Sequence, residues 1–108
     1  MTMIPITDEA GWQKVAALPT ALVLKHGARC PISAHARDEC TSFESVHEDP
    51  PVYSIEVTEH GDLSRSIATA IGVEHQSPQL LHLSHGKPEW HVDHYDITAD
   101  DVASRMGR

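Results

Sequence analysis

Cys30 is followed at once by Pro31 and, three positions on, by Ser33, with His26 and Arg29 just ahead of it. These residue types at this spacing suit thiol chemistry. A thiol at a helix N-terminus faces unpaired backbone N–H groups and the positive end of the macrodipole, which favour the thiolate. Pro31 fits the first helical position, where its missing N–H leaves no bond unmade. Arg29 adds a permanent cation in the same loop and His26 a titratable one, and both act to lower the thiol pKa. Cys30 is therefore the candidate nucleophile.

The run Cys30-Pro31-Ile32-Ser33 is similar to a dithiol redox motif in which Ser33 has taken the place of the second sulfur. Ser33 cannot resolve a mixed disulfide, but its hydroxyl can donate to a thiolate across the first helical turn. The other cysteine, Cys40, lies ten residues further along the same predicted helix. That spacing separates the two Cα atoms by about 15 Å, outside the roughly 7 Å a disulfide spans. Cys40 instead reads as a half-buried small hydrophobe. Arg37 lies seven residues after Cys30, two turns along the same helix face, and taken by itself reads as a solvated helix cation.

The elements that must position Cys30 alternate. Met3 to Ile6 reads as a short edge strand, and Thr7 as the cap of a helix from Asp8 to Leu18 with Trp12 and Val15 on its apolar face. Ala21-Leu22-Val23-Leu24 is continuously apolar, as a strand buried on both faces is. A second helix runs from Pro31 to about Glu44, and Val52 to Val57 alternates as a strand. Gly61-Asp62 begins a third helix that stops at Gly72. Gln79 to Leu83 and Trp90 to Val92 form a hairpin around His85-Gly86-Lys87-Pro88, and Thr98 caps a terminal helix. The order βαβαβαββα makes the early strands parallel and the last two antiparallel, with helices on both faces. Cys30 then lies beyond the carboxyl end of a central strand, where open α/β sheets place their crevices. Ser77-Pro78, between the third helix and the next strand, is the second informative pair.

Composition narrows the function classes. The 108 residues suffice for one domain, residues 1–108, with 40% hydrophobic side chains and a modest core. Eight Lys and Arg against 16 Asp and Glu give a net charge of −8, which opposes binding to nucleic acid or an anionic membrane surface. Two cysteines make no disulfide framework, and the first residues have neither the charge nor the apolar length of a signal peptide, so a reducing cytoplasm is predicted. No stretch is long and apolar enough to span a bilayer. Among nine His, the pairs His82/His85 and His91/His94 fall on strands and turns, where three-residue spacing turns side chains to opposite faces. No metal and no bound cofactor are predicted.

Lys25-His26-Gly27-Ala28-Arg29-Cys30-Pro31-Ile32-Ser33-Ala34 resembles the Lys-His-Ser-x-x-Cys-Pro-Ile-Ser stretch of the YtxJ-type monothiol bacilliredoxins, thioredoxin-like proteins of the bacillithiol system. The likeness continues through His75-Gln76-Ser77-Pro78-Gln79 and spans about Leu22 to Trp90. It implies a thioredoxin-like three-layer fold, a mixed sheet of four or five strands with helices on both faces. It also implies a cis-proline at Pro78 and a substrate site formed by Arg29, Pro31, Ser33, Arg37, Ser77 and Pro78 around the catalytic Cys30. The activity implied is removal of bacillithiol from bacillithiolated client proteins, with bacillithiol as co-substrate. Its malate carboxylates suit a cationic rim, for which Lys25, Arg29 and Arg37 are available. Gly27 replaces the Ser of the family pattern. Two other classes remain open: a glutaredoxin-like iron-sulfur carrier using glutathione, and a non-catalytic redox sensor or adaptor. Pro-Ile where the former has Gly-Phe, and no Gly-Gly pair after the proline region, count against the carrier.

Overall fold

The computed structural model describes residues 3–108. Its elements are β1 (Ile4–Pro5), α1 (Glu9–Ala16), β2 (Ala21–His26), α2 (Pro31–Val46), β3 (Val52–Glu56), α3 (Gly61–Ile71), β4 (Gln79–Ser84), β5 (Lys87–Asp93), a 3-10 turn (His94–Asp96) and α4 (Ala99–Arg105). The five strands lie in the order β1-β3-β2-β4-β5. β1, β3 and β2 are parallel, and β4 and β5 are antiparallel.

The apolar run of β2 occupies the centre because both of its faces are covered. Leu22 and Leu24 point to a cluster with Ala36, Cys40 and Phe43 of α2 and Val102 of α4. Ala21 and Val23 point the opposite way, to Trp12 and Val15 of α1 and Ile67 of α3. The period-two alternation of a strand thus divides one sequence run between two cores. Lys25 follows on the second face and, unlike a typical lysine, is fully buried.

Helix boundaries follow local chemistry with small departures from expectation. Asp8, not Thr7, caps α1, because its extended backbone lets the carboxylate accept the Gly11 N–H at 2.8 Å. α1 ends at Ala16, ahead of Leu18, and α2 runs two residues past Glu44 to Val46. Gly72 closes α3 at φ 73°, and Thr98 caps α4 by accepting the Asp101 N–H. The hairpin turn is tighter than expected: His85 and Gly86 alone take positive φ, 50° and 75°, while Lys87 and Pro88 already belong to β5. A Cβ on Gly86 would come within 3.0 Å of the Ala16 carbonyl, so close packing on α1 also requires glycine there. The Asp49–Pro50 and Ser77–Pro78 bonds are cis.

Candidate active site around Cys30

Sheet register collects the distant segments at one edge. His26 at the end of β2 lies opposite Glu56 at the end of β3, and Lys25 lies opposite Gln79 at the start of β4. Gln79 in turn pairs with Asp93, the last residue of β5. The loop to Cys30, the turn after Glu56, the Ser77-Pro78 bond and the turn after Asp93 therefore share that edge. The His94 N–H donates to the Pro78 carbonyl at 2.9 Å, and the Tyr95 ring lies 5.5 Å from His35 of α2. The turn after β5 thereby connects Pro78 to the helix that Cys30 heads.

Cys30 is the N-cap residue of α2, partly exposed, with φ −91° and ψ 124°. Its thiol is held below the ordinary cysteine range chiefly by the Ser33 N–H. Desolvation opposes this; the Ile32 N–H, the Ser33 hydroxyl and the Arg37 charge add to it. A thiolate is thus stabilised by the first turn of its own helix. Cys40, expected half-buried, is only 2% exposed. Burial first, then the Glu44 and Glu39 carboxylates, push its pKa up to about 12. Opposite environments separate the two sulfurs.

The cations differ from expectation. The charge acting on the thiol is Arg37, while Arg29, its neighbour in sequence, is exposed. Arg37 is no solvated charge: its Nη1 donates to the Gly27 carbonyl at 3.0 Å and lies 3.2 Å from His26 Nδ1. Burial and then Arg37 lower the pKa of His26, so the imidazole stays neutral and supplies no charge to the loop. Lys25 does not belong to a cationic rim, because it is fully buried. Arg29 is the remaining solvent-facing cation of that set.

Ser33 is fully buried and accepts the Gly27 N–H at 2.9 Å. Pro31 is exposed beside the thiol, and Pro78 is buried. Sequence reasoning missed Glu56, whose carboxylate accepts the Ala28 N–H and the Glu59 N–H, each at 2.8 Å. Although desolvation pushes that carboxyl up, these two bonds and those from Thr58 bring its pKa down to about 2. The loop before Cys30 is thereby anchored to the turn after β3. Only the β2/β3 register reveals this, since Ala28 and Glu56 are remote in sequence.

A partly exposed thiol heading a central helix, a cis-proline at the neighbouring start of β4 and a five-stranded mixed sheet between helix pairs define a thioredoxin-fold protein. A solved structure described as a candidate oxidoreductase with a thioredoxin fold superposes at TM-score 0.89 with 32% identity, covering 97% of this chain and 94% of that one. A thioredoxin from Halobacterium salinarum NRC-1 shares the fold at TM-score 0.70 and 18% identity, over 95% of this chain and 89% of that one. A Nicotiana alata thioredoxin shares it at 0.74 and 19%, over 96% and 89%. Residues 4–102 match the family described as monothiol bacilliredoxin BrxC, and the chain belongs to that family. No cluster of His, Cys, Asp and Glu among the described residues has metal-binding geometry. No described helix is long and apolar enough to cross a membrane.

Proposed function

We propose that the protein is a thiol-disulfide oxidoreductase that removes bacillithiol from protein mixed disulfides through Cys30. The observation that carries this reading is the contrast between the two sulfurs: one accessible thiol with a lowered pKa, and one buried thiol raised to about 12. Membership of the monothiol bacilliredoxin family supports bacillithiol as the low-molecular-weight thiol.

In the first step the Cys30 thiolate attacks the bacillithiol sulfur of the mixed disulfide. A new Cys30–bacillithiol disulfide forms, the old disulfide breaks, and the client leaves as a thiolate that takes a proton from water. In the second step the thiolate of a free bacillithiol attacks the bound bacillithiol sulfur. Bacillithiol disulfide departs and the Cys30 thiolate is regenerated, so no second protein sulfur is consumed. Ser33 and the Ile32 and Ser33 N–H groups stabilise Cys30 as attacking and as leaving group. Arg29, exposed in the loop, meets ligand carboxylates in this reading, and the Ser77 backbone aligns a client in extended form.

Intact mass after exposure to bacillithiol disulfide, together with turnover of a bacillithiolated client, tests this reading. One reversible adduct on Cys30 and turnover abolished by Cys30→Ser support it. An adduct without turnover would make the protein a sensor, and iron with visible colour in the purified protein would make it a cluster carrier.

A further inference from the structure

The end of β2 carries a second unusual side chain. Lys25 sits on the strand face that buries Ala21 and Val23, and it is itself fully buried. Burial holds its pKa down to about 8. Its Nζ donates to the Ser64 carbonyl of α3 at 3.0 Å and lies 3.4 Å from His75 Nδ1. The Ser64 hydroxyl lies 3.2 Å from the same His75 nitrogen. Burial and then the charges of Lys25 and Arg65 lower the pKa of His75, which favours the neutral ring, and because an ammonium has donors only, Nδ1 is the accepting nitrogen toward Lys25.

His75 belongs to the connection between α3 and β4, three residues before Pro78. Side chains hold this connection: Gln79 Nε2 donates to the Glu74 carbonyl at 3.0 Å, and Lys25 and Ser64 hold the His75 ring. Beyond it the Pro78 carbonyl accepts the His94 N–H. An ammonium taken out of water loses hydration free energy, a cost that an apolar residue on this face would not carry. What the lysine supplies in return is a fixed link from β2 to the segment leading into Ser77 and Pro78.

We propose that Lys25 is a positioning residue for disulfide exchange: through His75 and Ser64 it clamps the Glu74–Ser77 connection, so that the Ser77-Pro78 backbone is held ready for a client beside Cys30. This rests on the reading of Cys30 as the nucleophile. Lys25 touches no reacting atom and acts only through the connection.

The experiment compares wild type, Lys25→Met and His75→Ala in three measurements. These are alkylation of Cys30 by iodoacetamide, exchange with a cysteinyl peptide carrying a 2-nitro-5-thiobenzoate mixed disulfide, and deuterium uptake over residues 73–78. A released clamp leaves alkylation within about twofold, raises the peptide concentration that gives half the limiting single-turnover rate by about tenfold with a smaller change in that limiting rate, and speeds uptake in that segment. A thermal midpoint for Lys25→Met at or above wild type, accompanied by these losses, separates positioning from mere folding. Folded Lys25→Met with unchanged peptide exchange and uptake overturns the proposal. If Lys25→Met does not fold, His75→Ala decides by the same readouts. Wild type that exchanges with this peptide but not with a bacillithiolated client removes bacillithiol from the function and leaves the Lys25 comparison intact. Wild type inert toward both removes both readings.

Discussion

The backbone N–H of Gly27 donates to the Oγ of Ser33 at 2.9 Å, so the chain entering the Cys30 loop is bonded to the first turn of the helix leaving it. The same hydroxyl helps lower the pKa of the Cys30 thiol. Ser33 therefore does two things: it closes the loop and it stabilises the thiolate.

Ser33→Ala separates these roles. It strands a buried N–H on Gly27, which costs about 1–3 kcal/mol of stability by denaturant unfolding. It also removes one of the donors to the sulfur, so the midpoint of the alkylation rate against pH moves up. Measurable exchange persists, because the Ser33 and Ile32 N–H groups remain. An unchanged midpoint would show that the hydroxyl does not reach the thiolate.

Cys30 and Cys40 differ in reactivity in native protein. Iodoacetamide near neutral pH modifies Cys30 alone, and Cys40 reacts once denaturant exposes it. Cys40 has its folded pKa raised to about 12, so the unfolded chain releases its proton first. Its contribution to stability is complete below the unfolded thiol pKa and declines as pH rises toward about 12. Peptide mapping of the alkylated protein checks the first statement, and denaturant unfolding at several alkaline pH values checks the second.

Glu56 makes the loop sensitive to acid. Its folded pKa of about 2 lies below that of the unfolded carboxyl, so the unfolded state binds more protons between the two values. Its stabilisation is present above the unfolded pKa and is lost as pH falls toward about 2. Glu56→Gln should unfold at lower denaturant concentration than wild type near neutral pH, with the gap closing on acidification. A gap that stays constant from neutral pH to pH 2 contradicts this.

Gly27 has room for a side chain. A Cβ there would sit 3.6 Å from Cys30 Cβ and 3.9 Å from Ser33 Oγ, ordinary contact distances, and its φ is not among the positive ones. Gly27→Ala should therefore stabilise the fold by about 0.4–1 kcal/mol through the unfolded chain, with Cys30 alkylation unchanged. A loss of stability would mean that the loop depends on glycine.

The strand and helix order, the start of α2 at Pro31 and the candidacy of Cys30 were all legible in the residues, since each depends on local matters such as apolar periodicity, capping and proline geometry. The continuous apolar run before Cys30 already marked β2 as central. What acts on the sulfur was legible only in part: the helix N-terminus was, but the sequence pointed to Arg29 where the structure has Arg37, because adjacency in sequence does not say where a long side chain ends. Arg37 turns back onto the Gly27 carbonyl and His26, and Arg29 turns outward.

Other relationships had no local signal at all. Glu56 reaches Ala28, and Lys25 reaches Ser64 and His75, through strand register and helix packing that join segments far apart in the chain. A lysine after four apolar strand residues reads as the point where the strand meets water; α3 and the connection to β4 instead cover it, and nothing near residue 25 encodes that. The sequence by itself determined which thiol is the candidate nucleophile and which helix presents it, because those are short-range consequences of residue type. Tertiary structure alone decided which side chains hold the loop and the Ser77-Pro78 segment around that atom, because burial and hydrogen bonding depend on what the rest of the chain packs against them.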